Sequence, residues 1–137
     1  MKSVTFKLNN KQFSLLNSQF SNIGKNSHIG KLAVEIAKLY FQDKYVMPNF
    51  KENINGVDLS VINNNSQEDY EIKGTADFNI AFNKLKVSSQ PCHDKLVNGQ
   101  ILLRICDIGK QEVKLHFMKY NEDFTMEPEL RWSVKKL

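Results

Sequence analysis

The chain has 137 residues, 41% of them hydrophobic and 25% charged, with 19 lysines and arginines against 15 acids, a net charge of +4 and a pI near 9.0. That length builds one core and is too short for two comfortable ones. No apolar run approaches the roughly 20 residues that span a bilayer, and no charged-then-apolar leader opens the chain.

Residues 1–26 are polar and rich in asparagine, with apolar runs at 4–8 and 13–16. They predict a short strand or hairpin followed by a loop ending at Gly24. From Asn26 or Ser27 as N-cap, HIGKLAVEIAKLYFQDKY reads as a helix. Ile29, Leu32, Ala33, Ile36, Leu39 and Tyr40 recur every three or four residues and form a core stripe. Glu35 shares a column with Leu32 and Leu39 and borders that stripe. A carboxylate there wants a partner. Lys31 or Lys38 on the same helix would serve, and so would an acidic cluster holding a cation. The next segment, Tyr45-Val46-Met47-Pro48, reads as a first sheet strand with proline at its end.

The stretch GVDLSVINNNSQEDYEIKGT predicts an antiparallel hairpin. By the alternation of the pleat, Val57, Leu59 and Val61 share one face, and Asp58 and Ser60 take the other. Tyr70 and Ile72 likewise oppose Glu71, Lys73 and Thr75. A turn centred on Asn64 and Asn65 sets Asp58 opposite Glu71, and a centre one residue later sets it opposite Lys73. In either register the cross-strand Cβ atoms come within about 5 Å. Adjacent carboxylates repel unless a cation lies between them. Oxygen donors of this kind suit Mg²⁺ or Mn²⁺ better than zinc. A neighbouring lysine would orient an attacking water or stabilise charge on a phosphorane. The same spacing also suits a solvated hairpin face on which acids and lysines alternate.

Residues 78–95 read as an irregular segment ending in a short helix before the Asn98-Gly99 turn. Residues 100–106 form a nearly continuous apolar strand, apt for a sheet interior. Residues 113–120 alternate as a further strand after the turn at Gly109 and Lys110. The tail from 126 to 137 carries Trp132, the single tryptophan, which is expected to anchor it to the body. Cys92 and Cys106 have no metal-binding spacing and suit free thiols in a reducing cytoplasm. His28, His93 and His116 are expected as structural or surface residues. The surplus of positive charge permits nucleic acid binding. Lys84 and Lys86 are the first choices for phosphate contact, with Lys31 and Arg104 beside them. The predicted class is α/β (α+β), a mixed sheet flanked by helices.

A helix with Glu35, a strand with Asp58 and a strand with Glu71-Ile72-Lys73, in that order, resembles the PD-(D/E)xK nuclease superfamily, which has the restriction endonuclease-like fold. The ending EIKGT is similar to a small bacterial branch in which Glu-x-Lys-Gly-Thr follows a Gly-x-Asp strand. The resemblance covers roughly residues 24–108, and Val57 stands where the superfamily has proline. It implies an αβββαβ core over about 24–120, with 1–23 as an N-terminal extension and 121–137 as a tail packed on the core. It implies that Asp58 and Glu71 hold Mg²⁺ or Mn²⁺ with the Ile72 backbone carbonyl, and that Glu35 completes the shell directly or through water. Lys73 would serve the nucleophilic water. Gln90 would face the site from the following helix, unless it belongs to a capping cluster before Pro91. The implied activity is a DNA endonuclease leaving a 5′-phosphate and a 3′-hydroxyl, in restriction or anti-phage defence. Holliday-junction resolution, repair, and a non-catalytic DNA-binding or assembly subunit are the alternatives. Cutting both strands would call for a homodimer or a partner subunit.

Overall fold

The computed structural model describes residues 1–20 and 26–137. In chain order its elements are β1 (Lys2–Lys7), α1 (Asn10–Gln19), α2 (Asn26–Lys44), β2 (Asn49–Ile54), β3 (Val57–Asn63), β4 (Ser66–Gly74), a 3-10 turn (Phe82–Lys84), α3 (Gln90–Val97), β5 (Ile101–Cys106) and β6 (Glu112–Met118). The strands form one sheet in the order β1-β6-β5-β4-β3-β2. Only β4 and β5 run parallel, because the chain crosses between them through α3. The fold is therefore mixed α+β. The run α2-β2-β3-β4-α3-β5 has the expected αβββαβ order, and β5 lies in the sheet interior as its apolar sequence predicts.

The sheet buries a different core on each face. On one, Leu32, Ala33, Ile36, Ala37 and Phe41 of α2 pack on Leu59, Val61, Tyr70, Ile72, Leu103 and Ile105. The expected stripe is present, with its centre moved toward Ala37 and Phe41, while Ile29, Leu39 and Tyr40 lie at its margins. Gly74 lets α2 approach the end of β4. A Cβ there would stand 2.4 Å from Ile108 Cδ1 and 2.8 Å from Ala33 Cβ. On the other face a smaller cluster joins Leu96 of α3 to Leu102 and Met118, rimmed by Ile80, Leu85, Val87, Phe124 and Met126.

Several expectations are corrected. The N-terminus is no extension, because β1 pairs with β6 from Lys2↔Phe117 to Lys7↔Glu112, and Leu8 and Leu16 belong to the larger core. Residues 13–16 lie in α1, not in a strand. Asn9 Oδ1 accepts from the Gln12 N–H at 2.7 Å, and Gln12 Oε1 accepts from the Asn9 N–H at 2.9 Å. This reciprocal cap starts a helix where the apolar run alone suggested a strand. The loop expected to end at Gly24 lies outside the described residues. The helix runs from Asn26, so the predicted caps Asn26 and Ser27 both stand inside it, and the position before them also lies outside.

The segment 45–48 is a bend, with Val46 and Met47 89% and 90% exposed and Met47 at φ 49°. The strand starts beyond Pro48, where every residue again has an N–H to offer the ladder. Residues 127–137 have no regular structure, and Trp132 is 86% exposed instead of anchoring them.

Candidate functional site

The β3–β4 hairpin closes on Asn63↔Ser66, with Asn64 in the left-handed region at φ 57°. Asparagine tolerates that conformation, which a two-residue hairpin turn demands. The register continues through Ser60↔Asp69 and Leu59↔Tyr70, which sets Asp58 opposite Glu71. This is the first of the two predicted registers. Val57, Leu59, Val61, Tyr70 and Ile72 turn toward α2. Asp58, Ser60, Glu71, Lys73 and Thr75 emerge on the α3 face.

The ladder opens at Asp58. Counting back from the closing pair, Leu59↔Tyr70 is a pair that exchanges two hydrogen bonds, and Val57↔Ile72 would be the next. That pair is not formed. The Ile72 N–H donates instead to Asp58 Oδ2 at 2.7 Å. The Ile72 carbonyl leaves the strand on the same edge as its N–H, so it too faces the opening.

Glu71 is only 3% exposed. Its Oε1 lies 3.4 Å from Lys73 Nζ, while Oε2 is buried without a hydrogen-bond partner. Burial, and then the negative charge of Asp58, push the Glu71 carboxyl above its ordinary value of 4.5. Lys73 reaches the surface with its side chain 31% exposed.

Cys92 closes the site from α3, and the sequence reasoning missed it. Ser89 caps that helix by accepting from the Cys92 N–H at 3.3 Å. The Cys92 thiol donates to the Gly56 carbonyl at 3.5 Å. It also lies close enough to Glu71 to favour its carboxylate. One S–H serves one acceptor at a time; here it bonds Gly56, and Glu71 Oε2 has no hydrogen-bond partner. Ser89 followed by Pro91 was a legible helix start and would have pointed to Cys92 on the inner side.

Glu35 does not join the pair. Its Oε1 pairs with Lys38 Nζ at 2.9 Å, and Lys38 also reaches Glu52 Oε2 at 3.2 Å. Glu52 stands opposite Leu59 across β2 and β3, on the α2 face. The sheet therefore separates Glu35 from Asp58 and Glu71, and the within-helix partner is the one realised.

Gln90 also turns elsewhere. It is exposed at the start of α3, and its Nε2 donates to Asp94 Oδ1 at 2.7 Å. Lys84 pairs with Asp77 at 2.8 Å and Lys86 with Glu129 at 3.0 Å. Arg104 is 3% exposed and donates to the Ile80 and Gly74 carbonyls at 2.8 and 3.2 Å. It anchors the loop after β4 and presents nothing to a phosphate. Lys31 is exposed, on the helix of the opposite face.

Among the described residues no three histidine, cysteine or acidic side chains converge to hold a cation by themselves. What converges is two carboxylates, one lysine and the freed edge of β4. Cys92 and Cys106 are both free thiols. No described helix is long and apolar enough to cross a membrane. No protein-family model, curated protein or solved structure matches the chain.

Proposed function

We propose that Asp58, Glu71 and Lys73 form a metal-dependent phosphodiesterase site acting on DNA. The observation that carries the reading is the Glu71 carboxylate, buried with one oxygen unpartnered and within reach of the Asp58 charge. Leaving a buried acceptor unmet is costly, and a cation shared with Asp58 would relieve both the orphaned oxygen and the repulsion.

Asp58, Glu71 and the Ile72 carbonyl offer oxygen donors only, a set that fits Mg²⁺ or Mn²⁺. Such an ion supplies Lewis acidity toward a phosphoryl oxygen and a more acidic bound water. Asp58 keeps the hairpin open by taking the Ile72 N–H with one oxygen, which leaves its other oxygen for the ion. Lys73, at the rim and held by Glu71, is placed to orient a water or to meet negative charge developing on phosphate. The element order and the segment from Glu71 to Thr75 support a PD-(D/E)xK reading, with restriction or anti-phage defence as the favoured setting. Junction resolution and repair stand next.

One observation favours a second reading, a non-catalytic DNA-binding or assembly module. The helix-borne acid that the resemblance called for, Glu35, is committed to Lys38 on the other face. The two readings separate when plasmid, linear and branched DNA are incubated with the protein in Mg²⁺ or Mn²⁺, beside Asp58→Ala and Lys73→Ala. The nuclease reading expects metal-dependent cutting that falls by roughly 10²-fold or more in either variant, the scale of losing one transition-state contact. Binding without cutting, across all substrates and both metals, would sink it.

A further inference from the structure

Three of the cations expected to meet phosphate have partners: Lys84 and Lys86 form exposed ion pairs with Asp77 and Glu129, and buried Arg104 donates to two carbonyls, while Lys31 is exposed on the opposite face. Residues 130–137 are the opposite case. They carry Arg131, Lys135 and Lys136 and no acid, although the chain has 15 acids in all. None of the three cations makes an ion pair among the described residues, and all are exposed. Leu130, Trp132 and Val134 are 83%, 86% and 95% exposed and alternate with Arg131, Ser133 and Lys135. An extended chain with that order sets Leu130, Trp132 and Val134 on one side and Arg131 and Lys135 on the other, with Lys136 following on the Trp132 side and Leu137 opposite it.

The segment also leaves the body on the relevant side of the sheet. Phe124 and Met126 pack with Leu96, Leu102 and Met118 on the α3 face, where Asp58 and Glu71 emerge. The Lys86–Glu129 pair, at 3.0 Å, ties the start of the segment to the loop leading into α3. The segment therefore starts on the same side of the sheet as the carboxylate pair.

We infer that residues 130–137 form a binding arm for single-stranded nucleic acid, with Trp132 stacking on an unpaired base and Arg131, Lys135 and Lys136 meeting phosphates. The inference rests on the phosphodiesterase reading of Asp58 and Glu71, and it narrows the substrate to strands with unpaired bases, such as flaps and branch points. Stacking on an exposed aromatic side chain needs an open base face, which a closed duplex withholds. Three unpaired cations without an acid among them suit a polyanion, and their contribution must fall as salt rises.

Trp132 is the sole tryptophan, so its emission reports the arm directly. Full-length Asp58→Ala protein in EDTA is titrated with single-stranded oligothymidylate, with duplex DNA and with anionic phospholipid vesicles. The arm expects saturable quenching by the oligothymidylate and weaker quenching by the duplex. Anisotropy of a labelled oligothymidylate then compares two variants. Arg131→Glu/Lys135→Glu/Lys136→Glu should weaken binding about tenfold or more at low salt and flatten the slope of log affinity against log salt by about 2. Trp132→Ala should weaken binding with the slope retained. Unchanged affinity in both variants overturns the arm, and so does emission that answers vesicles but not the oligothymidylate. Arm binding that persists without cleavage in any metal retires the nuclease and leaves the arm. Cleavage that persists while arm variants bind normally retires the arm and leaves the nuclease.

Discussion

The two faces of the sheet are built for different ends. The α2 face buries Phe41 at 0% exposure among the rings of Tyr40, Tyr45, Tyr70 and Phe117, and its core residues are apolar apart from the Tyr70 hydroxyl, which bonds Glu68. The α3 face has a far smaller apolar cluster, and buries Glu71, Ser60, Thr75 and Arg104 in the same layer. A sheet needs only one well-packed face to hold its register, since a one-residue slip would expose that whole face. The second face is then free to bury charge at a cost, and the β3–β4 hairpin opens toward it. The contrast shows where stability is generated and where it is given up.

The largest effect separating the faces should come from Phe41→Ala, which removes a fully buried ring from the α2 side. A loss of about 3–5 kcal/mol in denaturant unfolding is expected. A cost below about 1 kcal/mol would mean the α2 face is not the main support of the fold.

On the α3 face, Glu71→Gln should act in the other direction. The folded-state carboxyl of Glu71 lies above 4.5 because of burial first and Asp58 second. The folded protein therefore holds this proton more tightly than the unfolded chain does. The contribution of Glu71 to stability is greatest in acid and declines as pH rises from 4.5 through the raised folded value. In EDTA, the wild type should lose stability relative to Glu71→Gln across that window and remain the weaker at neutral pH. Adding Mn²⁺ should raise the melting temperature of the wild type and leave the variant where it was. A wild type that gains on the variant with rising pH would contradict the assigned direction.

Ser89→Ala is the mildest of the three. It removes the cap of α3 for about 1 kcal/mol, and it loosens the first turn, which carries Cys92 against Gly56 and Glu71. Thermal melts should register the cap, and thiol labelling of Cys92 should quicken while buried Cys106 stays slow. Equal labelling rates in wild type and variant would detach Cys92 from the cap.

Much of the site was legible because strand geometry is local. The alternation of Val57, Asp58 and Leu59, and of Tyr70, Glu71 and Ile72, fixed which side chains share a face. The asparagine run narrowed the turn to two registers, and the structure adopts the one that sets Asp58 across from Glu71. The strands expected at 100–106, from a nearly continuous apolar run, and at 113–120, from alternation, stand at Ile101–Cys106 and Glu112–Met118, and the α2 stripe followed from its helical spacing. Gln90 failed because it depended on a helix phase that Ser89, not the resemblance, decides. Trp132 departs from expectation because its segment has no regular structure and holds the ring 86% exposed, away from any apolar cluster.

The sequence by itself determined the hairpin, its facing and the meeting of two carboxylates with a lysine, since these follow from a period of two and hold in either of the two turn registers. Only the tertiary structure decided which layer covers which face. Periodicity places a residue on a side of its own element and says nothing about the element across the sheet. That is why Glu35 borders the right stripe and still lies on the wrong side of the sheet, and why Lys84, Lys86 and Arg104 have partners while the cations of residues 130–137 make no ion pair among the described residues.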